Sequence, residues 1–290
     1  MFRFIGREKA RHSVRRMCRL LGVSPSGFWA WHRRAPSPRR QADAELLARI
    51  AVAHAASRGT YGAPRIRAEL RDAGHSVGRR RIARLMRLAG IRGVTRRRFR
   101  AAPRRAPDAV APDLVRRRFT TLADRPDRLW VTDITALPTD EGPLFLAAVL
   151  DACSRRVVGW SMAEFQRTPL VTAAVEAALA HRRAAGTILH SDRGTQFTSQ
   201  AFVDRLAEAG LAPSMGAPGV CWDNALAESF FATLETELID RDHWATRDEA
   251  RLAVFDWIER FYNRTRRHTA IGNVPPVEFE RRWSAPPVTT

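Results

Sequence analysis

Apolar residues recur at helical spacing along the first third of the chain. Residues 14–21 form one short periodic stretch, Gly22 follows, and residues 25–31 form a second stretch. Ser24 is a suitable N-cap for the second helix, and Pro25 is favoured at its first position. The pattern predicts two helices joined by a tight turn. A helix-turn-helix unit and a generic helical hairpin both fit this outline.

A second helical pair follows a Pro- and Arg-rich break at residues 33–40 and a predicted helix near residues 42–56. Its segments, PRIRAELRDAG and VGRRRIARLMRLAG, each end at a glycine, which favours helix termination. The apolar residues of the second segment share one helix face. The other sides carry Arg79, Arg80, Arg81, Arg84 and Arg87, with no acidic residue between them. We predict DNA contact by this basic helix; a solvated charged face is the alternative.

The pattern changes after residues 96–118, which contain arginines and prolines without apolar periodicity and are predicted to be a basic linker. Three short apolar runs then predict strands: LWVTDITALP, LFLAAVLDAC and RVVGWSMAE. A helix near residues 168–184, a strand TILHSD and a helix near residues 199–209 follow, and the rest is mostly helical. This order predicts an α/β fold with a mixed sheet flanked by helices.

Charge is distributed unevenly. The first 118 residues hold 31 of the 49 Lys and Arg residues but only 7 of the 30 Asp and Glu residues. Such a segment requires a polyanionic partner, and nucleic acid is the leading candidate. The three cysteines lie far apart and favour neither a disulfide framework nor a zinc module. Since no signal peptide or apolar run near ~20 residues is present, we expect a soluble cytoplasmic protein without membrane association.

Three carboxylates stand at positions suited to chemistry. Asp133 interrupts an apolar strand, where a carboxylate is costly to bury unless it is paired or binds a cation. Asp192 closes the strand TILHSD, and Glu228 lies one turn into a predicted helix. Each alone has a structural explanation, as a strand-end residue, a turn former or a first-turn acid. Together they offer hard oxygen ligands for Mg²⁺ or Mn²⁺.

Several motifs carry a family resemblance. WVTDITALP, LHSDRGTQFTS and CWDNALAESFFATLETEL, with 35 residues between Asp192 and Glu228, resemble the three blocks of the DDE transposases and retroviral-type integrases. The segments YGAPRIRAELRDAGHSVGRRRIARLMRLAGIRG and YNRTRRHTAIGNVPPVEFE extend the likeness over nearly the whole chain. Nearly the whole chain is similar to the second-frame (OrfB-type) products of bacterial insertion sequences, whose full transposase arises by frameshift fusion.

The resemblance implies an RNase H-like catalytic core at residues 119–240. An all-α, helix-turn-helix-like DNA-binding region at residues 1–95 and the linker at 96–118 would precede it, and a helical extension at residues 241–290 would follow. It also implies two Mg²⁺ or Mn²⁺ ions, with Asp133 bridging both and Asp192 and Glu228 each completing the ligands of one. The implied reaction is cleavage that frees a DNA 3′-OH, followed by attack of that hydroxyl on a second DNA site.

The implied partners are double-stranded DNA, at the element ends and at the target, and a first-reading-frame partner protein. We also expect a homo-oligomer on DNA and association with the nucleoid.

Three further residues have two interpretations each. Asn224 either orients DNA or caps a helix, and Arg266 and His268 either contact DNA or pack the C-terminal helices.

One departure from the family pattern leaves an alternative function open. Glu235 lies seven residues after Glu228, where the family usually has Lys or Arg, so it shares a helix face with Glu228 and weakens phosphate contact there. The alternative is a catalytically silent DNA-binding remnant or regulator of a parent element. Among enzymes, the alternative is a nuclease or resolvase of the same fold that cleaves DNA without joining it.

Overall fold

The N-terminal helices form a small bundle with its own core. The computed structural model describes residues 1–95, 111–116, 118–216 and 225–284. Helices α1 (Phe2–Glu8), α2 (Val14–Leu20) and α3 (Pro25–Arg33) pack around buried Ile5, Met17, Cys18 and Phe28. The Ser24 hydroxyl accepts the Gly27 amide N–H at 2.9 Å, so the predicted cap is confirmed. Helix α1 was not predicted from the sequence.

A second bundle contains the predicted basic helix. It consists of α4 (Pro38–Ala56), α5 (Ala63–Asp72) and α6 (Arg79–Leu88). Helix α4 begins at Pro38, earlier than predicted, because the Ser37 hydroxyl caps it by accepting the Arg40 amide N–H. Gly74 and Gly90 follow α5 and α6 with φ values of 83° and 70°, a left-handed conformation that glycine adopts readily.

Five strands form the predicted mixed sheet in the order β3-β2-β1-β4-β5. They are β1 (Leu129–Leu137), β2 (Leu144–Asp151), β3 (Val157–Ala163), β4 (Ile188–Ser191) and β5 (Ala212–Met215). Strands β1, β2 and β3 are antiparallel neighbours, whereas β4 is parallel to both β1 and β5. Strand β1 is therefore central. Strand β5 is an additional edge strand that the sequence pattern did not predict.

Helices cover both faces of the sheet. Helices α8 (Thr168–Leu179) and α9 (Gln200–Glu208) pack on the face that includes Trp130, whereas α10 (Ala225–Glu237) packs on the face that includes Val131. Helix α11 (Arg247–Phe255) continues as a π-helical segment, Asp256–Tyr262, on the α10 side. Helices α7 (Phe119–Leu122) and α12 (Pro276–Ser284) are short additions. Alternation of side chains along β1 thus separates two cores.

The end of the predicted linker contacts the sheet. Ala111 and Val115 are buried, and the Leu114 amide N–H donates to the Ser214 hydroxyl at 2.9 Å. The Met215 amide N–H donates to the Pro112 carbonyl at 3.3 Å. Residues 111–116 therefore pack on the sheet beside β5. Residues 96–110 and 117 lie outside the described residues.

The second helical bundle shares a hydrophobic core with the sheet domain, which consists of the five strands and the helices packed on them. Ile50 and Tyr61 belong to the same buried cluster as Trp257 and Phe261. Ion pairs reinforce this contact: Arg267 Nε lies 2.6 Å from a Glu69 carboxylate oxygen, and Arg267 Nη1 lies 2.6 Å from Asp72. Helix α5 is thereby fixed to the C-terminal region. No helix in the described part of the chain is long and apolar enough to cross a membrane.

We predict that Arg267→Gln weakens the contact of α5 and α6 with the sheet domain. The change removes charged hydrogen bonds to Glu69 and Asp72, and their partial exposure limits the loss to about 1 kcal/mol or somewhat more. Amide hydrogen exchange in α5 is expected to become roughly fivefold faster, since ~1 kcal/mol corresponds to about that factor. The exposed pair of Arg251 with Asp248 provides the control, Arg251→Gln. An unchanged exchange rate in α5 of the Arg267 variant would contradict the role of Arg267 in fixing α5 to the C-terminal region.

Candidate active site

Asp133 occupies the middle of the central strand. It lies opposite Ala148 of β2, and its side chain is half-buried. The Ile134 amide N–H donates to its Oδ1 at 2.8 Å, which orients the carboxylate. The residues before it, Leu129 to Val131, are fully buried. Asp133 is thus where β1 passes from the buried core toward the surface.

Asp192 lies immediately after β4, beside the same part of the sheet. In the parallel pairing of β1 with β4, Val131 lies opposite His190, so two residues further along each chain bring Asp133 and Asp192 to the same level. Asp192 is exposed, and its Oδ1 accepts the Gly194 amide N–H at 2.9 Å. A Cβ at Gly194 would lie 2.7 Å from Oε1 of Gln196 and 3.1 Å from Oδ1 of Asp192. Glycine therefore allows the tight exit predicted after the strand.

Glu228 lies in the first turn of α10 and is exposed. The opposite face of α10 is apolar: Ala227, Phe230, Phe231 and Leu234 are buried in the cluster that also contains Val131. Burial of this face fixes the rotation of the helix and leaves Glu228 at the surface beside β1. Glu235 is also exposed, two turns further along, as the predicted shared face requires.

The electrostatics indicate that Asp192 and Glu228 lie near Asp133. The pKa of Asp133 is raised to about 7, first by burial and then by the carboxylate of Asp192, and Glu228 raises it further. The hydrogen bond from the Ile134 amide acts in the opposite direction. Both predicted partners are therefore close enough to Asp133 to disfavour its negative charge.

The donor set fits a hard divalent cation. A positive ion between the carboxylates would relieve their repulsion, and carboxylate oxygens are the ligands that Mg²⁺ and Mn²⁺ prefer. Within the described residues, no three His, Cys, Asp or Glu side chains are already close enough together to hold one ion.

The arginines of α6 divide into two groups. Arg79, Arg80 and Arg87 are exposed. Arg81 and Arg84 instead pair with Asp43 of α4, at 2.8 Å and 2.6 Å, and these hydrogen bonds hold the pKa of Asp43 below its ordinary value. Sequence reasoning missed Asp43 because it lies about 40 residues away on another helix. Of the five arginines predicted to contact DNA, three are therefore exposed, and the other two share their charge with Asp43.

Arg266 and His268 are both buried and pack against neighbouring side chains, which is the second of the two roles considered for them. Arg266 is buried and forms two hydrogen bonds of 2.7 Å with the Glu237 carboxylate. His268 is also buried, and its ring lies 4.6 Å from that of Tyr262. Burial and the nearby Arg266 charge hold the pKa of His268 well below its ordinary value. Both side chains therefore pack within the C-terminal region, and contact of either residue with DNA stays a prediction. Asn224, the other predicted contact, lies outside the described residues.

Comparison with known proteins agrees with this architecture. Two integrase core domain models match residues 123–221 and 209–276, and an HTH-like domain model matches residues 41–99. Transposase InsF of insertion sequence IS3A from Escherichia coli (strain K12) is 38% identical over 96% of this chain and 98% of that protein. The chain belongs to the IS3 transposase family. An uncharacterized 31 kDa protein of insertion element IS600 from Shigella sonnei is 39% identical over 92% of this chain and 98% of its own length.

The HTH-like match assigns the α4–α6 bundle of this IS3-family protein to a known type of domain, whereas α1–α3 precede the matched residues. Among solved structures, the catalytic core domain of BIV integrase is 17% identical, with a TM-score of 0.41, and the match covers 54% of this chain and 95% of that chain. The RNase H-like, integrase-type core predicted from the sequence is confirmed by the family models and the sheet.

We predict that Asp192→Asn lowers the pKa of Asp133 in the metal-free protein. The substitution removes a neighbouring negative charge, and the pKa then stays above the ordinary value because burial is the larger cause. Titration of the Asp133 carboxyl carbon by NMR in the presence of a chelator measures the change. Asp248→Asn, at an exposed site on α11, is the matched control. A wild-type Asp133 that titrates near pH 4 would rule out the converged arrangement.

Proposed function

We propose that this IS3-family transposase cuts DNA at the 3′ ends of its element and joins those ends to target DNA, with Asp133, Asp192 and Glu228 as the catalytic carboxylates. The observation that supports the proposal is the nearness of Asp192 and Glu228 to Asp133, beside the end of β4. Ligand and active sites of α/β proteins commonly lie at such strand ends. The family models cover all three residues.

In the proposed site, Asp133 would contact two Mg²⁺ or Mn²⁺ ions, and Asp192 and Glu228 would contact one each. When bound, the ions supply activation of the attacking water or 3′-hydroxyl and stabilisation of the leaving oxygen. The chain itself positions the carboxylates. The Gly194 amide holds Asp192, the Ile134 amide holds Asp133, and the buried face of α10 holds Glu228. Such prior positioning reduces the reorganisation required during reaction.

DNA binding is proposed for the exposed arginines of α6, Arg79, Arg80 and Arg87, which project from the HTH-like bundle. Their guanidinium groups suit both phosphate oxygens and base edges. The substrate would be double-stranded DNA, at element ends and at the target. The proposal also includes a homo-oligomer on DNA, a first-frame partner protein and a location at the nucleoid.

A catalytically silent protein is the alternative. The presence of all three carboxylates in one place favours catalysis, since a protein that only binds DNA needs none of them there. The exposed Glu235 on the same helix as Glu228 is the observation that favours reduced activity, because an added anion repels DNA phosphates. Cleavage without joining is less well supported, because the curated relatives include a transposase rather than a simple nuclease.

A strand-transfer assay on element-end DNA with Mg²⁺ tests the proposal. We expect the wild type to join DNA and Asp192→Asn to bind DNA equally well but to join it at least ~100-fold more slowly. Even loss of groups that only support metal ligands costs 10–100-fold. Asp248→Asn provides the control for a carboxylate lost elsewhere and should retain wild-type joining.

Equal joining by the wild type and Asp192→Asn would contradict the catalytic assignment. If neither joins DNA, Glu235→Lys becomes the informative variant, because it replaces the anion on the Glu228 face with the cation usual in the family. Recovery of joining would identify a chain inactivated at this position. Cleaved but unjoined ends in the wild type would support the nuclease alternative.

A further inference from the structure

A basic cavity of about 200 Å³ lies beneath α10, next to the converged carboxylates. Its floor is apolar and includes Val131, Leu150 and Phe230. Its mouth includes Ser229 and Thr269, which are exposed. The cavity adjoins the candidate active site along two elements, because Val131 lies two residues before Asp133 and Ser229 directly follows Glu228.

Three guanidinium groups line the cavity: those of Arg65, Arg155 and Arg266. Glu237 neutralises part of this charge, since it forms two hydrogen bonds with Arg266 and lies 3.3 Å from Arg65. Asp151 also lines the cavity, but its oxygens already accept the backbone N–H groups of Asp127, Cys153 and Ser154. The lining therefore keeps an excess of hydrogen-bond donors over acceptors.

Arg155 is the least compensated of these groups. Its Nε atom is buried without a hydrogen-bond partner, and no ion pair links Arg155 to another residue in the part of the chain that the structure describes. Its backbone is held in the left-handed region, with φ of 64°, at the turn between β2 and β3. The negative charge of Asp151 stabilises the Arg155 guanidinium without a hydrogen bond between them, whereas a buried donor without a partner costs free energy. Such features commonly mark a ligand site.

We infer that this cavity binds a phosphate group of the DNA substrate. Guanidinium groups match phosphate oxygens in geometry and charge, and the hydroxyl groups of Ser229 and Thr269 add donors at the mouth. The location next to Asp133 and Glu228 favours a phosphodiester of the strand that occupies the active site. This assignment rests on the proposed function for the identity of the ligand but not for the existence of an anion site.

The assignment gives Arg155 a role in DNA binding. This role can be measured from the salt dependence of binding, without a catalytic assay. Each protein–phosphate contact on duplex DNA contributes about 0.9 to the slope of log K against log salt concentration. Arg155→Gln should therefore reduce this slope by about 1, and Arg155→Lys should retain it because the positive charge remains. Arg183→Gln, at an exposed arginine that follows α8 on the other face of the sheet, is the matched control and should leave the slope unchanged.

The experiment has two arms, both in an Asp192→Asn background so that no DNA is consumed. In the first, inorganic phosphate is titrated at constant ionic strength, and the shift in melting temperature is followed. In the second, duplex element-end DNA is titrated by fluorescence anisotropy at several salt concentrations. Melting temperature and circular dichroism without ligand establish that the Arg155 variants fold.

Phosphate-dependent stabilisation and the salt slope should both decrease in Arg155→Gln and both persist in Arg155→Lys. An effect of Arg155→Gln in the phosphate arm alone would overturn the DNA assignment and identify a site for free phosphate. An unchanged result in both arms would overturn the anion site altogether. Absence of DNA binding by every variant, the wild type included, would instead count against the proposed function, and the phosphate arm would still report on the cavity.

Discussion

The parallel pairing of β1 with β4 is the constraint on which the candidate active site depends. Its register places Val131 opposite His190, so Asp133 in the middle of β1 lies level with Asp192, which directly follows β4. Helix α10 adds Glu228 because its apolar face is buried against the same strand. A shift of one residue in this register would turn Asp133 to the other face of the sheet. Burial of Asp133 in the sheet, and then the neighbouring carboxylates of Asp192 and Glu228, raise the pKa of Asp133 to about 7.

Two sets of ion pairs connect the C-terminal region to other helices. Arg267 fixes α5 to the C-terminal region through Glu69 and Asp72, and Arg266 with Glu237 joins that region to α10. Helix α10 consequently contacts the catalytic strand on one side and the elements that support the HTH-like bundle on the other. This connection gives the exposed arginines of α6 a defined position relative to the carboxylates. The basic cavity lined by Arg65, Arg155 and Arg266 lies beside the same helix α10.

Local sequence signals predicted several helix ends and four of the five strands, although helix α1 and the start of α4 were missed. Ser24, Pro25, Gly74 and Gly90 predicted helix ends correctly, and the β-branched runs predicted β1 to β4, because caps, left-handed glycines and apolar alternation act over a few residues. Strand β5 escaped prediction because the segment Ala212–Met215 contains a proline and is stabilised by pairing with β4 rather than by its own pattern. The pairing of Arg81 and Arg84 with Asp43, and the burial of Arg266, depend on residues distant in sequence. The Asp133–Asp192–Glu228 set was predictable only as a family motif, since each carboxylate alone fits a structural role.

The most direct test of the account is whether the three carboxylates bind one kind of cation together. Titration of the protein with Mn²⁺, followed by electron paramagnetic resonance of the free ion, measures this binding without DNA or catalysis. The account predicts that Asp133→Asn, Asp192→Asn and Glu228→Gln each weaken Mn²⁺ binding at least ~10-fold, as even supporting groups do at metal sites. Asp248→Asn should bind as the wild type does. Wild-type affinity in any of the three triad variants, Glu228→Gln above all, would contradict the claim that these residues form one site.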